Sequence, residues 1–129
     1  MDILNRDGKL LFRIPDGWEP IFWGDRDLLA GAELSGAQLS AADLGGIDLS
    51  KARLIGSNLH EAFLNGTDLS GADLEGACLV GADPEDADLR FANLTNADLR
   101  MTAMGRSTRL GGANLHGANL TNASFEGAL

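Results

Sequence analysis

The chain of 129 residues has no tyrosine, two tryptophans, five phenylalanines, three prolines and one cysteine. Each scarcity excludes something. A single Cys78 leaves no internal disulfide and no cysteine-built metal site. A lone thiol fits a reducing compartment, and the expected location is cytoplasmic. Aromatics are 5% of residues, too few for a conventional globular core of this length, so small side chains must be packing something narrow. No apolar run approaches the about 20 residues of a membrane-spanning helix. The opening stretch, MDILNRDGKLLFRIPDG, is broken by charge at positions 2, 6, 7 and 9, so no signal peptide is expected. Basic residues are also few: 10 Lys and Arg against 19 Asp and Glu give a formal net charge of −9. That balance argues against direct binding to nucleic acid or to an anionic membrane. It permits a basic protein partner, or one that ordinarily holds DNA.

What is abundant is leucine on a beat of five. From Leu29 the centres run Leu34, Leu39, Leu44, Leu49, Leu54, Leu59, Leu64, Leu69, Leu74, Leu79, Pro84, Leu89, Leu94, Leu99 and Met104. After one extra residue they resume at Leu110, Leu115, Leu120 and Phe125, and 17 of these 20 centres are Leu. Two residues before the centres from Leu34 onward sits Ala, with Ile47, Ser57, Thr67, Thr102 and Thr108 as exceptions. Asp or Asn often lies between Ala and Leu, and Gly often follows two after the Leu. A period of five suits neither a helix nor a flat strand. It suits a chain that turns a corner after each unit, with Ala and Leu facing inward and Gly supplying the turn. Four sides close a coil of 20 residues, and stacking at about 4.8 Å makes a rod on the order of 24 Å long.

The segments GADLEGACL, FANLTNADL and GANLHGANL resemble the A-(D/N)-L-x-x motif of the pentapeptide-repeat family, over residues 29 to about 127. The resemblance implies an all-β, right-handed quadrilateral β-helix of about five coils, here spanning 29–129. It implies the fold far more than the role, since that family includes many members of unassigned role and a few DNA mimics that bind DNA gyrase.

Residues 1–28 are expected to form a small N-terminal cap. ILNRDGKLLFRI reads as two short strands about an Asp7-Gly8 turn. Trp18, Phe22 and Trp23 would then cover the first leucine layer, since a solenoid end exposes core and strand edges. An aromatic binding patch is the alternative reading. At the other end NASFEGAL carries Phe125 and Leu129, an apolar end expected to pair with a second copy as a homodimer.

A 20-residue coil converts sequence into columns. Leu49, Leu69, Leu89 and, past the extra residue, Leu110 are expected on one face, with Asp48, Asp68, Asp88 and Arg109 outward. Neighbouring carboxylates at that spacing repel by about 1 kcal/mol in water-like surroundings, which hydrogen bonds from corner amides can offset. The alternatives are a partner-binding strip and a cation site. Evenly spaced single carboxylates on a flat face do not wrap an ion, so no metal is expected. Pro84 is assigned to an irregular face with Leu44, Leu64, Met104 and Phe125, where Phe63 points outward and the proline removes one ladder donor. The extra residue in MGRSTRL should bulge just after Met104.

Between Leu54 and Leu89 stand eight acids and no Lys or Arg: Glu61, Asp68, Asp73, Glu75, Asp83, Glu85, Asp86 and Asp88. Arg90, Arg100, Arg106 and Arg109 follow. An acidic waist next to a basic zone is the expected surface. Together with Asp48, these acids (Glu61 excepted) are the candidate contacts for an unidentified protein partner. His60 and His116 fall on different faces, Cys78 lies between Asn58 and Asp98, and no phosphate-binding loop is present, so neither catalysis nor a cofactor is expected. The leading expectation is a protein-binding or structural scaffold. The alternative is a DNA mimic acting on a type II topoisomerase. For that role 13 acids and 6 bases in 29–129, net −7, give about half the charge of equal-length B-DNA.

Overall fold

The computed structural model describes residues 2–4, 8, 10–13 and 29–129. Strands β1 (Asp2–Leu4) and β2 (Leu10–Arg13) pair antiparallel, Ile3 opposite Phe12 and Leu4 opposite Leu10. Gly8, between them, has φ 77°, the left-handed geometry of a tight turn. The expected hairpin is therefore present. Trp18, Phe22 and Trp23 lie outside the described residues.

From Leu29 onward the backbone returns to itself in parallel register. Glu33 bridges Arg53, Arg53 bridges Asp73, and Asp73 bridges Asn93, a step of 20 residues that Asn58, Cys78 and Asp98 repeat on another side. Each side follows one hydrogen-bonding rule. The centre leucine donates its amide one coil onward (Leu34 N to Arg53 O, 2.7 Å), and the outward residue donates back (Arg53 N to Ala32 O, 2.9 Å). The corner closes when the small residue donates to the previous centre (Ala37 N to Leu34 O, 3.0 Å). The residue before it has positive φ, as the third position of a type II turn requires. A corner every five residues leaves one residue per side in ladder geometry, so the faces are isolated bridges rather than strands.

The core follows from the same geometry. Every centre leucine from Leu29 to Leu99 is buried, with Ala37, Ala52, Ala62, Ala72 and their equivalents filling the space between. Each buried leucine contributes about 1.5–3 kcal/mol relative to exposure. The outward Asp or Asn earns its place at the corner: Asp48 Oδ1 accepts from Ser50 N at 2.8 Å, Asp68 from Ser70 N at 2.9 Å, Asn93 from Thr95 N at 3.1 Å. That bond explains why only these two short acceptors recur between Ala and Leu.

The beat conceals a break larger than one residue. After Asp98 the return lengthens: Asp88 bridges Asn114, Asn93 bridges Asn119 and Asp98 bridges Ser124, each 26 apart instead of 20. Six residues, 102–107, leave the coil at one corner. Met104, expected to be a centre, stands 98% exposed. Thr108 takes the inward small-residue position and Leu110 the centre.

Two columns change accordingly. Arg109 does not follow Asp88; its amide donates to Ala82 O at 3.1 Å, which places it after Asp43, Phe63 and Asp83. Asn114 and Leu115 complete the Asp48–Asp68–Asp88 face. Phe125 follows Leu39, Leu59, Leu79 and Leu99, not Pro84, because Ser124 bridges Asp98. Pro84 is buried at the centre between Leu64 and Leu110. Its missing N–H leaves no counterpart to the bond from Leu64 N to Asp83 O.

Candidate interaction surface

The sides present their outward residues in register, so the surface is read column by column. Asp48, Asp68 and Asp88 form one column and Asn114 ends it. The first three carboxylates each accept from the amide two residues on, so the corner bond supplies a structural reason for the column. Asp73 bridges Asn93 on the adjoining side and accepts from Asn93 Nδ2 at 2.9 Å.

The waist is not a free field of carboxylates. Arg109 reaches back one coil to Asp83 at 3.1 Å and Glu85 at 2.6 Å. Arg106 approaches Glu61 at 3.9 Å. Arg90 grips Asp88 through Nε and Nη2, the latter at 2.6 Å from Oδ2. This contact holds the Asp88 carboxyl below the usual carboxylate range, and Arg100 does the same for Asp98. The two short pairs were legible in sequence, because residues two apart face the same way on a strand-like side. The longer pairs were not, since they depend on which residues the 26-residue return brings together. Asp68, Asp73, Glu75 and Asp86 have no ion pair among the described residues.

The remaining chemistry-bearing side chains do not converge. His60 follows Leu59 at one corner. His116 sits at another, edge-on to Phe91 with ring centroids 5.7 Å apart. Cys78 bridges Asn58 and Asp98, as the spacing placed it. Among the described residues no three His, Cys, Asp or Glu side chains are placed to hold a metal ion. Among the described residues no helix is long and apolar enough to cross a membrane. A depression of about 260 Å³ lies where the inserted loop meets the coil, lined by Arg100, Met101, Thr102, Ala103, Gly105 and Glu126.

The sequence model of the pentapeptide repeats matches in eight copies, over residues 32–71, 67–101 and 106–128. The chain belongs to the pentapeptide-repeat family. Its match is interrupted between 101 and 106, where the structure extrudes the loop. No curated protein matches this pentapeptide-repeat chain. Among solved structures it is similar to HetL, a pentapeptide repeat protein involved in heterocyst differentiation regulation in the cyanobacterium Nostoc. The two share 38% identity with a TM-score of 0.64, over 70% of this chain but 39% of HetL. It is also similar to a pentapeptide repeat protein of the Arabidopsis thaliana thylakoid lumen: 33% identity, TM-score 0.57, over 87% of this chain and 68% of that one. These neighbours imply a right-handed β-helix.

Proposed function

We propose that this pentapeptide-repeat protein is a non-catalytic scaffold that binds another protein through the flat sides of a quadrilateral rod of about five coils, capped by residues 1–28. The observation that carries the reading is the registered bridging of outward residues, which sets Asp48, Asp68 and Asp88 in a fixed column on a leucine-filled core. A rigid array of this kind loses little side-chain entropy on binding. Asp68, Asp73, Glu75 and Asp86, without ion pairs among the described residues, are its most available charges.

The test exploits the corner bond. Asn replaces Asp at several corners while keeping the same acceptor, so Asp48→Asn, Asp68→Asn, Asp73→Asn and Asp88→Asn together remove charge and leave the fold intact. Co-purification of a native partner should weaken with added salt and be lost in this variant. Retention of the same partner at unchanged affinity would remove the acidic sides from the contact.

The Asp48–Asp68–Asp88 column also favours a second reading, mimicry of DNA at a type II topoisomerase. Against it stand the arginines that neutralise Glu61, Asp83, Glu85 and Asp88. A supercoiling assay with DNA gyrase should show neither inhibition nor protection from a quinolone. Pairing of two copies through the end that carries Phe125, half-buried, and Leu129, exposed like Leu120, is the assembly we attach to the scaffold. Light scattering of a purely monomeric species at high concentration would rule it out.

A further inference from the structure

The 102–107 loop has no role in closing the coil. Without it Met101 would run directly into Thr108, and Leu99-Arg-Met-Thr-Arg-Leu110 would be an uninterrupted five-residue unit. The loop is nevertheless built, not slack. Thr102 N donates to Arg106 O at 2.7 Å, Gly105 N donates to Thr102 O at 2.9 Å, and Arg106 N donates to Thr102 Oγ1 at 3.0 Å. Thr108 clamps its base: the buried hydroxyl accepts from Gly81 N at 3.0 Å and donates to Leu79 O at 2.9 Å. The loop also lies down on the rod. A Cβ on Gly81 would stand 2.6 Å from Thr102 Cγ2, so this corner has room for the loop only because it is glycine.

What the clamped loop presents is apolar and basic. Met104 is at its tip, with Met101 (45% exposed) at its base. Arg106 folds back so that its guanidinium stands 5.6 Å from the ring of Phe63, itself 40% exposed, and 3.9 Å from Glu61. Arg100 flanks the depression beside Met101 and Thr102. A fully exposed methionine on an ordered loop contributes nothing to the fold and carries a solubility cost. Methionine and arginine are enriched in interface cores, the first because its flexible thioether fills irregular sockets. The pairs of Arg106 with Glu61 and Arg100 with Asp98 lie at the surface and are screened by solvent, so a partner's carboxylates can replace them at little cost.

We propose that the 102–107 loop is a protein-docking element, with Met104 as the anchor entering an apolar socket whose rim carries carboxylates facing Arg106 and Arg100. The inference rests on the scaffold reading above but uses Met104 and the two arginines of the loop corner rather than the acidic sides.

The experiment places a diazirine amino acid at position 104, and in a control at Asn122 on another corner, in the full-length protein. Both are irradiated in lysate of the organism that carries this chain. A protein cross-linked from 104 but not from 122 is identified, purified and titrated against the wild type. Met104→Ser should weaken its binding at least tenfold with no change in Tm, and Arg106→Gln should reduce the salt dependence. Excision of 102–107 should abolish binding while leaving the β-helix folded. The quadruple Asp→Asn variant should still bind this partner, which separates failure of the loop from failure of the acidic sides. Equal cross-linking from both positions, cross-linking only to a second copy of this chain, no cross-link, or an affinity indifferent to Met104→Ser would each overturn the proposal.

Discussion

Phe91 lies over Gly117 of the following coil, so close that a Cβ on Gly117 would stand 2.5 Å from Phe91 Cδ1. Both residues have positive φ, 59° and 71°. The relationship recurs at other corners, Asp86 over Gly112 and Met101 over Gly127. A side chain at the corner leans toward the next coil, and glycine there gives it room. Gly117→Ala should therefore cost more than the about 1–2 kcal/mol of a left-handed alanine. Gly66→Ala, with φ 66° and nothing within 4 Å, should cost only that. The excess at Gly117 should vanish in a Phe91→Ala background, as measured by urea denaturation of the four variants.

Two buried hydroxyls at equivalent inward positions should answer oppositely. Thr108 Oγ1 is bonded to Gly81 N and Leu79 O, so Thr108→Val should destabilise by about 1–3 kcal/mol. Ser57 Oγ is buried without a partner, so Ser57→Ala should be neutral or stabilising by up to about 1 kcal/mol. Chemical denaturation of both proteins gives the comparison, and a costly Ser57→Ala would contradict the assignment.

Pro84 interrupts a ladder that every flanking unit completes. Pro84→Leu restores both the amide facing Arg109 and a leucine centre, and should raise stability by about 1 kcal/mol, a Tm gain of several degrees. A fall in Tm would mean that the buried proline ring fits its layer better than leucine does.

Asp88 and Asp98 have lowered folded-state pKa values, first through the side-chain hydrogen bonds of Arg90 and Arg100. A depressed carboxylate pKa stabilises the fold fully above the unfolded value, near 3.9, and the contribution fades as pH falls toward the folded value. Stability should be level from pH 7 to about 5 and decline below about 4. Arg90→Gln with Arg100→Gln should make that acid limb shallower in Tm measured against pH. An unchanged limb would show that the two pairs do not contribute.

How much of this was legible in the sequence differs from residue to residue. The inward leucines, the glycine corners and the Asp48–Asp68–Asp88 column followed from the period, because each five-residue unit satisfies its hydrogen bonds by the same local rule. The hairpin about Gly8 followed from two short apolar runs flanking Asp7-Gly8. The positions of Arg109, Leu110 and Phe125 did not. Inserting one residue or six leaves the five-residue beat in the same phase, so Met104 could keep time in the sequence while standing outside the coil.

The sequence alone determined the unit: an inward Ala-Leu pair, an Asp or Asn that caps the corner, and a turn residue tolerant of positive φ. These are local preferences, repeated until no other fold could bury so much leucine. The tertiary structure decided where the unit was skipped. Only bridging between coils distinguishes a return of 26 residues from one of 21, and that choice set Arg109 against Asp83 and Glu85 and clamped Met104 in the open. The reason is physical: a ladder hydrogen bond forms between neighbours in space, and spatial adjacency after an insertion is not encoded by periodicity.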